Sequence, residues 1–203
     1  MSVFAVIPVK TLLKSKTRLS RILAPRERQI LTLAMLEDVL KAVKVSSSVH
    51  EIVIVSSDPK IQLIGRKYGT TYLAERGREL NQAVEQGLCW CVNEGAKSVL
   101  VLPADIPLVT PSDIDQMVRL SCEETCMIIA PSKNGGTNGL LQKPPNSIPP
   151  CFGRESFSRH VHEASKRGIV AKIYRSETMI LDIDSSDDLE NLLSIESETA
   201  SYK

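Results

Sequence analysis

Two acidic residues that follow separate apolar segments have the side chains that a hard cation needs. Asp105 comes shortly after the apolar run Val99–Leu102, and Asp184 lies in a second acidic cluster near the end of the chain. Because open α/β sheets bind ligands at the carboxyl ends of their strands, both carboxylates are expected at that edge. Two carboxylates can hold one Mg²⁺ against phosphate oxygens, so the pair predicts a magnesium site. Asp182 is an alternative second ligand, because strand alternation places it on the same face as Asp184.

Each of these acids also has a purely structural interpretation. Asp105 would cap the turn into the helix that is expected after Thr110, and Asp184 would cap the last helix of the chain. Short carboxylates often accept hydrogen bonds from the free amides of a first helical turn. Both interpretations stay open at the level of the sequence.

A basic loop follows the first apolar run, Val3–Val9. It carries Lys10, Lys14, Lys16 and Arg18 and no glycine, so it is neither a P-loop nor a dinucleotide-binding turn. The spacing of Lys16 and Arg18 predicts that an extended segment presents both cations on one side, where they would bind a triphosphate. Beside two acids, this loop indicates metal-assisted nucleotidyl transfer. The alternative is a solvated basic loop that binds no ligand.

Short polar side chains elsewhere have the types that hold a nucleotide or a second phosphate. Ser56 follows the second apolar run and Asn81 begins a later helix, so each either contacts a base or ribose or serves as an ordinary helix cap. Thr137 lies in a Gly-Gly turn, and Gly153 and Ser156 lie at the start of another helix, whose free amides favour an anion. A second phosphate site is the functional prediction here, and a hairpin turn with a helix cap is the structural alternative.

The composition excludes several classes of protein. The chain has 203 residues, of which 42% are apolar, enough for one sizeable α/β domain. Aromatic residues make up only 4% and the net charge is +1, which disfavours nucleic-acid binding. Five cysteines without a paired CxxC spacing predict free thiols. His160 and His162 cannot share one helical face, so no metal site formed by histidines is expected. The chain lacks a signal peptide or membrane-length apolar run, so we expect a cytoplasmic protein.

These side chains must be positioned by an alternation of strands and helices. We predict strands at residues 3–9, 51–55, 71–74, 98–102, 127–130, 139–142 and 170–174, with helical patterns in the intervals. The alternation predicts a single α/β domain over residues 1–195, a Rossmann-like three-layer sandwich with a mainly parallel sheet. The closing helix is expected over residues 186–195, followed by a polar tail at 196–203.

Taken in chain order, these residues resemble the 2-phospho-L-lactate guanylyltransferases of deazaflavin-coenzyme biosynthesis. The resemblance covers nearly the whole chain and leaves out only the tail. Its motifs are Pro8-Val-Lys10 with Lys14–Leu19, Ala34-Met-Leu36 with Asp38-Val-Leu40, Val55-Ser-Ser-Asp58, Leu80-Asn-Gln-Ala83, Leu102-Pro-Ala-Asp-Ile-Pro107, Gly136-Thr-Asn138, Phe152–Phe157 with Arg159-His160, and Leu181-Asp-Ile-Asp184. Each motif is weak alone, but eight of them in order are specific.

The resemblance implies a nucleotidyltransferase fold of the GT-A type with a mixed sheet of about seven strands. It implies that GTP and 2-phospho-L-lactate give lactyl-2-diphospho-5'-guanosine and pyrophosphate, with Mg²⁺ as cofactor. Thr137, Gly153 and Ser156 match acceptor-binding positions, and Asp105 and Asp184 match the metal-binding acids. The expected nucleotide-binding residues are Pro8, Lys10, Lys16, Arg18, Ser56, Asn81 and Pro103. The expected catalytic residues are Lys16, Arg18 and Asp105.

Several alternatives remain open beside this interpretation. Phosphoenolpyruvate differs from 2-phospholactate only by one carbon–carbon double bond, and a cytidylyltransferase of the same fold would differ only in base contacts. A nucleotide-binding sensor without catalysis is the alternative from another class, and the presence of both acids and both phosphate sites disfavours it. No nucleic-acid or membrane partner is expected, and the oligomeric state, a homodimer included, stays open.

Overall fold

Seven strands form one mixed sheet. The computed structural model describes residues 2–77 and 79–201 of the chain. The strands are β1 (Val3–Pro8), β2 (Val49–Ser56), β3 (Thr71–Ala74), β4 (Ser98–Val101), β5 (Cys126–Pro131), β6 (Thr137–Lys143) and β7 (Val170–Ile173). Their order across the sheet is β3-β2-β1-β4-β6-β5-β7. β6 runs antiparallel to β4 and β5, whereas the other neighbours are parallel, which confirms the expected mixed, mainly parallel sheet.

Helices cover both faces of this sheet. They are α1 (Pro25–Val45), α2 (Pro59–Tyr68), α3 (Leu80–Asn93), α4 (Pro111–Leu120), α5 (Ser156–Lys166) and α6 (Ser186–Ser201). Proline begins α1, α2 and α4, where its missing amide is not needed for an intrahelical bond. The side chain of Asp58 caps α2 and that of Thr110 caps α4, which confirms the helix expected after Thr110.

Alternate residues of the central strands supply two apolar cores, one on each face. Ala5 and Ile7 of β1 belong to the core beneath α1, α2 and α4, whereas Val6 belongs to the core beneath α3 and α5. All three are fully buried, as expected for a parallel sheet that is covered on both sides. Gly87 brings α3 close to β1, because a Cβ at this position would lie 2.6 Å from a methyl carbon of Val6.

Two predictions about irregular segments are wrong. The loop after β1 is not extended: it forms two short 3-10 turns, Leu12–Lys14 and Thr17–Arg21, with Lys16 between them at a left-handed φ of 49°. The closing helix does not end at residue 195, because α6 continues to Ser201. The last two residues of the predicted tail lie outside the described part of the chain.

All five cysteines are free thiols. Cys91 is fully buried in the core, and this burial raises the pKa of its thiol to about 12. Within the described residues, no helix combines the length and the apolar character that crossing a bilayer requires.

Candidate active site

A cavity of about 420 Å³ opens at the carboxyl edge of β1 and β4. Open α/β sheets bind ligands at this edge, because loops from several strands meet there. Of the residues predicted for the nucleotide and the metal, the structure places seven in its lining: Pro8, Lys10, Lys16, Arg18, Pro103, Asp105 and Asp184. The cavity therefore joins residues from the first loop, the middle of the chain and its last quarter.

An ion-pair network around Lys16 forms one wall of this cavity. The Nζ of Lys16 lies 2.5 Å from a carboxylate oxygen of Asp105 and 2.8 Å from one of Asp184. Only 7% of the lysine side chain is exposed. The backbone amide of Ile183 donates to the carbonyl of Asp105 at 3.0 Å, which holds the two acid-bearing segments side by side. Both acids thus share one buried cation.

Burial and neighbouring charges shift the pKa values of this network. Burial disfavours the charged form of Lys16, but Asp105 and Asp184 outweigh it and raise the pKa of the lysine. Burial would raise the pKa of Asp184, yet the adjacent Lys16 outweighs it and the net shift is downward. A carboxylate oxygen of Asp182 lies 3.5 Å from the side-chain amide nitrogen of Asn138. Burial is the largest cause that raises the pKa of Asp182 to about 6, and the negative charges of Asp105 and Asp184 add to it. The site gathers more carboxylates than buried cations, so it is suited to an additional cation.

The structure disfavours the interpretation of the two acids as helix caps. The helix after Asp105 is capped by Thr110. At the start of the helix after Asp184, the amide of Ser185 donates to Asp188 at 2.8 Å, and the amide of Asp188 donates to the hydroxyl of Ser185 at 3.3 Å. Because other residues cap both helices, the carboxylates of Asp105 and Asp184 are free to face the cavity.

A buried carboxylate anchors the segment that leads to the acidic cluster. Asp113 accepts hydrogen bonds from Tyr174 at 2.9 Å, from Ser176 at 2.6 Å and from Thr178 at 2.6 Å. Burial would raise the pKa of Asp113, but these donors and Thr110 outweigh it and lower the value. The network ties this segment to α4 and so fixes the direction from which Asp184 reaches the cavity.

The two paired carboxylates fit a magnesium ion. They already share the Nζ of Lys16, so they are close enough to share one ion, and their oxygens are the hard ligands that Mg²⁺ prefers. Within the described ranges, no group of three or more His, Cys, Asp or Glu side chains is arranged to hold a metal. A metal bound here would therefore complete its shell with phosphate oxygens and water, as Mg²⁺ does at many nucleotide sites.

The other cations of the first loop are exposed. The side chain of Arg18 is 78% exposed, and its Nη1 lies 3.6 Å from a carboxylate oxygen of Asp184. Lys10 and Lys14 are exposed at the mouth of the cavity. Lys16 and Arg18 both line the cavity, but they differ in exposure, because the acids bury Lys16 and leave Arg18 in solvent. The acids come from distant parts of the chain, so the spacing within the loop does not reveal this difference.

Ser56 and Asn81 are not among the residues that line the cavity. Ser56 is fully buried, and its hydroxyl accepts a hydrogen bond from the amide of Asp58 at 3.2 Å. The side-chain amide of Asn81 donates to the carbonyl of Phe152 at 3.2 Å and accepts from its N–H at 2.7 Å. Neither residue is a helix cap, because Asp58 and Glu79 hold the cap positions of α2 and α3. Asn81 holds the cavity-lining Phe152 in place.

Thr137, Gly153 and Ser156 form a second polar cluster, which lies outside the lining of the 420 Å³ cavity. The hydroxyl of Ser156 donates to that of Thr137 at 3.0 Å, and the amide of Ser156 donates to the carbonyl of Gly153 at 3.2 Å. Gly153 has a φ of +115°, a value that L side chains rarely adopt. The three predicted acceptor residues are thus brought together, at the start of α5.

His160 completes this second cluster, and the sequence interpretation gave it no function. Its ring is fully buried, with Nδ1 3.1 Å from the hydroxyl of Thr137 and Nε2 accepting the N–H of Cys151 at 2.9 Å. It lies on the inner stripe of α5 with Ser156 and Ala164. The i, i+4 spacing of this stripe is visible in the sequence, but it is equally typical of an ordinary core position.

The chemistry available at the cavity is charge neutralisation. Among its described lining residues there is no histidine and no cysteine, so the cavity holds no Ser–His or Cys–His pair. A buried ammonium, exposed cations and two carboxylates at the strand edge are suited to holding and polarising a polyphosphate.

The chain matches a family model described as guanylyl transferase, CofC like, over residues 3–203. It is 38% identical over 193 residues to a phosphoenolpyruvate guanylyltransferase of Rubrobacter xylanophilus, covering 95% of this chain and 94% of that protein. It is 35% identical to a 2-phospho-L-lactate guanylyltransferase of Methanothermobacter thermautotrophicus, covering 95% and 85%. It is also 35% identical to a 3-phospho-D-glycerate guanylyltransferase of Colwellia psychrerythraea, covering 92% and 89%.

A solved structure shows the same fold at low sequence identity. The chain superposes on a nucleotidyl transferase from Methanothermobacter with a TM-score of 0.74 and 14% identity, covering 98% of this chain and 99% of the other. This likeness confirms the expected nucleotidyltransferase fold.

Proposed function

Because the chain belongs to the family of CofC-like guanylyl transferases, we propose that it transfers GMP from GTP to a small phosphorylated three-carbon acid. The first acceptor that we propose is 2-phospho-L-lactate, which would give lactyl-2-diphospho-5'-guanosine and pyrophosphate. The observation that carries this proposal is the pairing of Lys16 with Asp105 and Asp184 at the strand edge where this class of fold binds nucleotides.

The reaction needs positioning more than it needs a catalytic base. An oxygen of the acceptor phosphate attacks the α-phosphorus of GTP, a new P–O bond forms, and the bond to the β-phosphate oxygen breaks as pyrophosphate leaves. The second pKa of a phosphate monoester is about 6, so the attacking oxygen is already ionised at pH 7. The remaining barrier is the repulsion between two polyanions, which preorganised cations and hydrogen-bond donors lower. The residues of the cavity supply these groups.

On the nucleotide side, we assign charge neutralisation to Lys16 and Arg18. Their cations would stabilise the negative charge that develops on the departing pyrophosphate. Pro8, Lys10 and Pro103 line the same cavity and would border the nucleotide. Lys16 is buried and already oriented by two carboxylates, whereas Arg18 is exposed and free to move toward the phosphates.

We propose Mg²⁺ as the cofactor, with Asp105 and Asp184 as the residues that would hold it. When bound, Mg²⁺ would neutralise phosphate oxygens as a Lewis acid. Binding of Mn²⁺, followed by electron paramagnetic resonance, tests the site without an activity measurement. We expect saturable binding in the wild type that is weakened at least tenfold in Asp105→Asn. Equal affinities in the two proteins would remove Asp105 from the metal site.

On the acceptor side, we assign the phosphate of the acceptor to Thr137, Gly153 and Ser156. The hydroxyl pair at the start of α5 offers donors to an anion, and the positive end of the helix dipole favours negative charge. The backbone conformation of Gly153 would let the chain approach the phosphate closely.

Phosphoenolpyruvate is the second candidate acceptor, because the relative with 38% identity carries that name. The experiment that tests the function is a pyrophosphate-release assay that crosses four nucleoside triphosphates with 2-phospho-L-lactate, phosphoenolpyruvate and 3-phospho-D-glycerate. We expect release with GTP and a 2-phospho acid. A preference for CTP would indicate a cytidylyltransferase, and binding of GTP without release in any combination would favour a nucleotide sensor.

The cellular location and the assembly are part of the same proposal. Five free thiols are typical of a reducing compartment, which supports a location in the cytoplasm.

A homodimer stays a prediction, and sedimentation equilibrium of the full chain tests it.

A further inference from the structure

The buried ring of His160 joins the acceptor hydroxyls to the loop that borders the nucleotide. One ring nitrogen, Nε2, accepts the backbone N–H of Cys151 at 2.9 Å, and the other, Nδ1, lies 3.1 Å from the hydroxyl oxygen of Thr137. The ring of Phe152 meets that of His160 edge-on, with 4.8 Å between their centroids. Packing and two hydrogen bonds therefore fix the orientation of the imidazole.

The contact with Cys151 determines which nitrogen carries the proton. A backbone N–H can only donate, so Nε2 must be an unprotonated acceptor. Burial, and then the adjacent Arg159, lowers the pKa of His160 to about 4, so the ring is neutral at pH 7. A neutral ring without a proton on Nε2 carries it on Nδ1. That N–H therefore faces the hydroxyl oxygen of Thr137 and the backbone of Ser156, and Nδ1 cannot accept a hydrogen bond from Thr137.

The orientation of the Nδ1–H group determines which hydrogen bonds the two hydroxyl groups can donate. Thr137 and Ser156 have one hydroxyl proton each, and the hydrogen bond of 3.0 Å between them uses one of the two. Because the imidazole donates to Thr137 and does not accept from it, the other hydroxyl proton is left for a third group. A phosphate dianion only accepts hydrogen bonds, so such a proton is what a bound phosphate requires.

We propose that His160 is a positioning residue. Its Nδ1–H fixes the direction of the hydrogen bonds of the Thr137 and Ser156 hydroxyl groups, so that one hydroxyl proton is presented to the phosphate of the acceptor. This inference rests on the proposed function, which places that phosphate at these hydroxyls. If the Nδ1–H of His160 is absent, the hydroxyl proton of Thr137 can rotate toward residue 160. The hydroxyl oxygen would then present its lone pairs to the phosphate. Acceptor binding would then weaken while GTP binding stays the same.

Two substitutions separate the two hydrogen bonds of the ring. In His160→Asn the side-chain amide nitrogen reaches the place of Nδ1, so a donor to Thr137 is kept and the acceptor for Cys151 is lost. In His160→Gln the longer side chain places its carbonyl oxygen near the position of Nε2, so the acceptor is kept and the donor is lost. The pair thus distinguishes loss of the donor from general loosening of the loop.

The expected result is a change in one Michaelis constant only. His160→Gln should raise KM for the acceptor about tenfold or more, since a hydrogen bond to a charged group is lost, and leave KM for GTP within about twofold. His160→Asn should raise KM for the acceptor less than about threefold. Equal increases in the two variants, or an unchanged acceptor KM in His160→Gln, would overturn the proposal.

The tautomer of the wild-type ring provides a test that needs no turnover. Long-range ¹H–¹⁵N correlation spectra of the labelled protein at pH 7, with His160 assigned by comparison with His160→Asn, should show the Nδ1–H form. An Nε2–H ring or an imidazolium would overturn the assignment of His160 alone. A wild-type protein that shows the Nδ1–H form but releases no pyrophosphate with GTP and any of the three acceptors would instead overturn the proposed function.

Discussion

The two polar regions of the molecule differ in how they hold charge. On the nucleotide side, Lys16 and Arg18 meet Asp105 and Asp184 in loops at the strand edge, and these groups are charged and partly open to water. On the acceptor side, two hydroxyls and a neutral imidazole are buried at the start of α5. The first region acts through attraction between charges, and the second acts through the direction of hydrogen bonds.

This difference determines how each region responds to change. Attraction between open charges depends on salt and on the bound metal, and the groups can rearrange when a substrate arrives. A buried hydrogen-bond network is insensitive to salt, but losing one partner leaves a polar group unsatisfied. Substitutions on the nucleotide side should therefore affect turnover first, whereas substitutions on the acceptor side should affect both stability and acceptor binding.

The largest effect is expected for Asp105→Asn. The change removes the charge of one cavity carboxylate and alters the side-chain volume little, so we expect the fold to persist. Turnover should fall about a thousandfold or more, which corresponds to roughly 4 kcal/mol of transition-state stabilisation. The measurement is kcat, with circular dichroism as the check on folding. Asp187→Asn, an exposed position of the acidic cluster that contains Asp184, is the control. A loss of less than about tenfold, ~1.4 kcal/mol, would contradict the metal-site assignment.

The second effect is a pH dependence of stability that comes from the acceptor side. The folded pKa of His160, about 4, lies below its unfolded value, so the unfolded state binds its proton first as the pH falls. The stability that neutral His160 contributes is present above pH 6.5 and is lost as the pH falls toward 4, by about 3 kcal/mol. Urea unfolding of the wild type and of His160→Gln across this range measures it.

The comparison with His160→Gln is needed because another group acts with the opposite sign. The pKa of Asp182 is raised to about 6, so the folded state binds that proton first and gains stability as the pH falls from 6 toward 4. This contribution is common to both proteins and cancels in their difference. Parallel curves for the two proteins would mean that His160 is not buried in its neutral form.

The third effect is a selective loss of acceptor binding in Thr137→Ala with Ser156→Ala. Removing both hydroxyls should raise KM for the acceptor about tenfold to a hundredfold, because hydrogen bonds to a charged phosphate are lost, and leave KM for GTP within about threefold. Ser158→Ala, an exposed position of α5, is the control. If KM for GTP rises as much as KM for the acceptor, the two regions are not separate binding sites.

The smallest effect is expected for Arg18→Ala. The side chain of Arg18 is 78% exposed, so its contact with the triphosphate should contribute only about three- to tenfold to GTP affinity. The difference should shrink at high salt, since open charges are screened. GTP titrations at two salt concentrations measure it, with the exposed Arg26→Ala as control. Equal GTP affinities of the wild type and Arg18→Ala at low salt would remove Arg18 from the mechanism.

The fold could be predicted from the sequence because its signals are local. The strands β1, β2, β4 and β5 contain short apolar runs, and pairs such as Asp58-Pro59 and Thr110-Pro111 mark helix starts. The convergence of Asp105 with the first loop was also predictable, because parallel strands release their chain at one edge. The family resemblance rests on the same local motifs.

The details of the site could not be predicted because they depend on contacts between distant residues. Lys16 is buried only because acids from two other segments surround it, and nothing in the loop distinguishes it from Arg18. Ser56 has the residue type of a ligand contact, but its hydroxyl accepts a bond from a nearby amide instead. His160 has the spacing of a core residue, and its partners Thr137 and Cys151 come from other elements.

The central claim is that the chain joins GMP to the phosphate of a three-carbon acid, and ³¹P NMR of the complete reaction tests it most directly. GTP, Mg²⁺ and 2-phospho-L-lactate or phosphoenolpyruvate are incubated with the full chain. We expect two mutually coupled signals of an unsymmetrical diphosphate, which grow together with the signal of pyrophosphate. The appearance of GDP with inorganic phosphate, or an unchanged spectrum with both acceptors, would rule out this transfer.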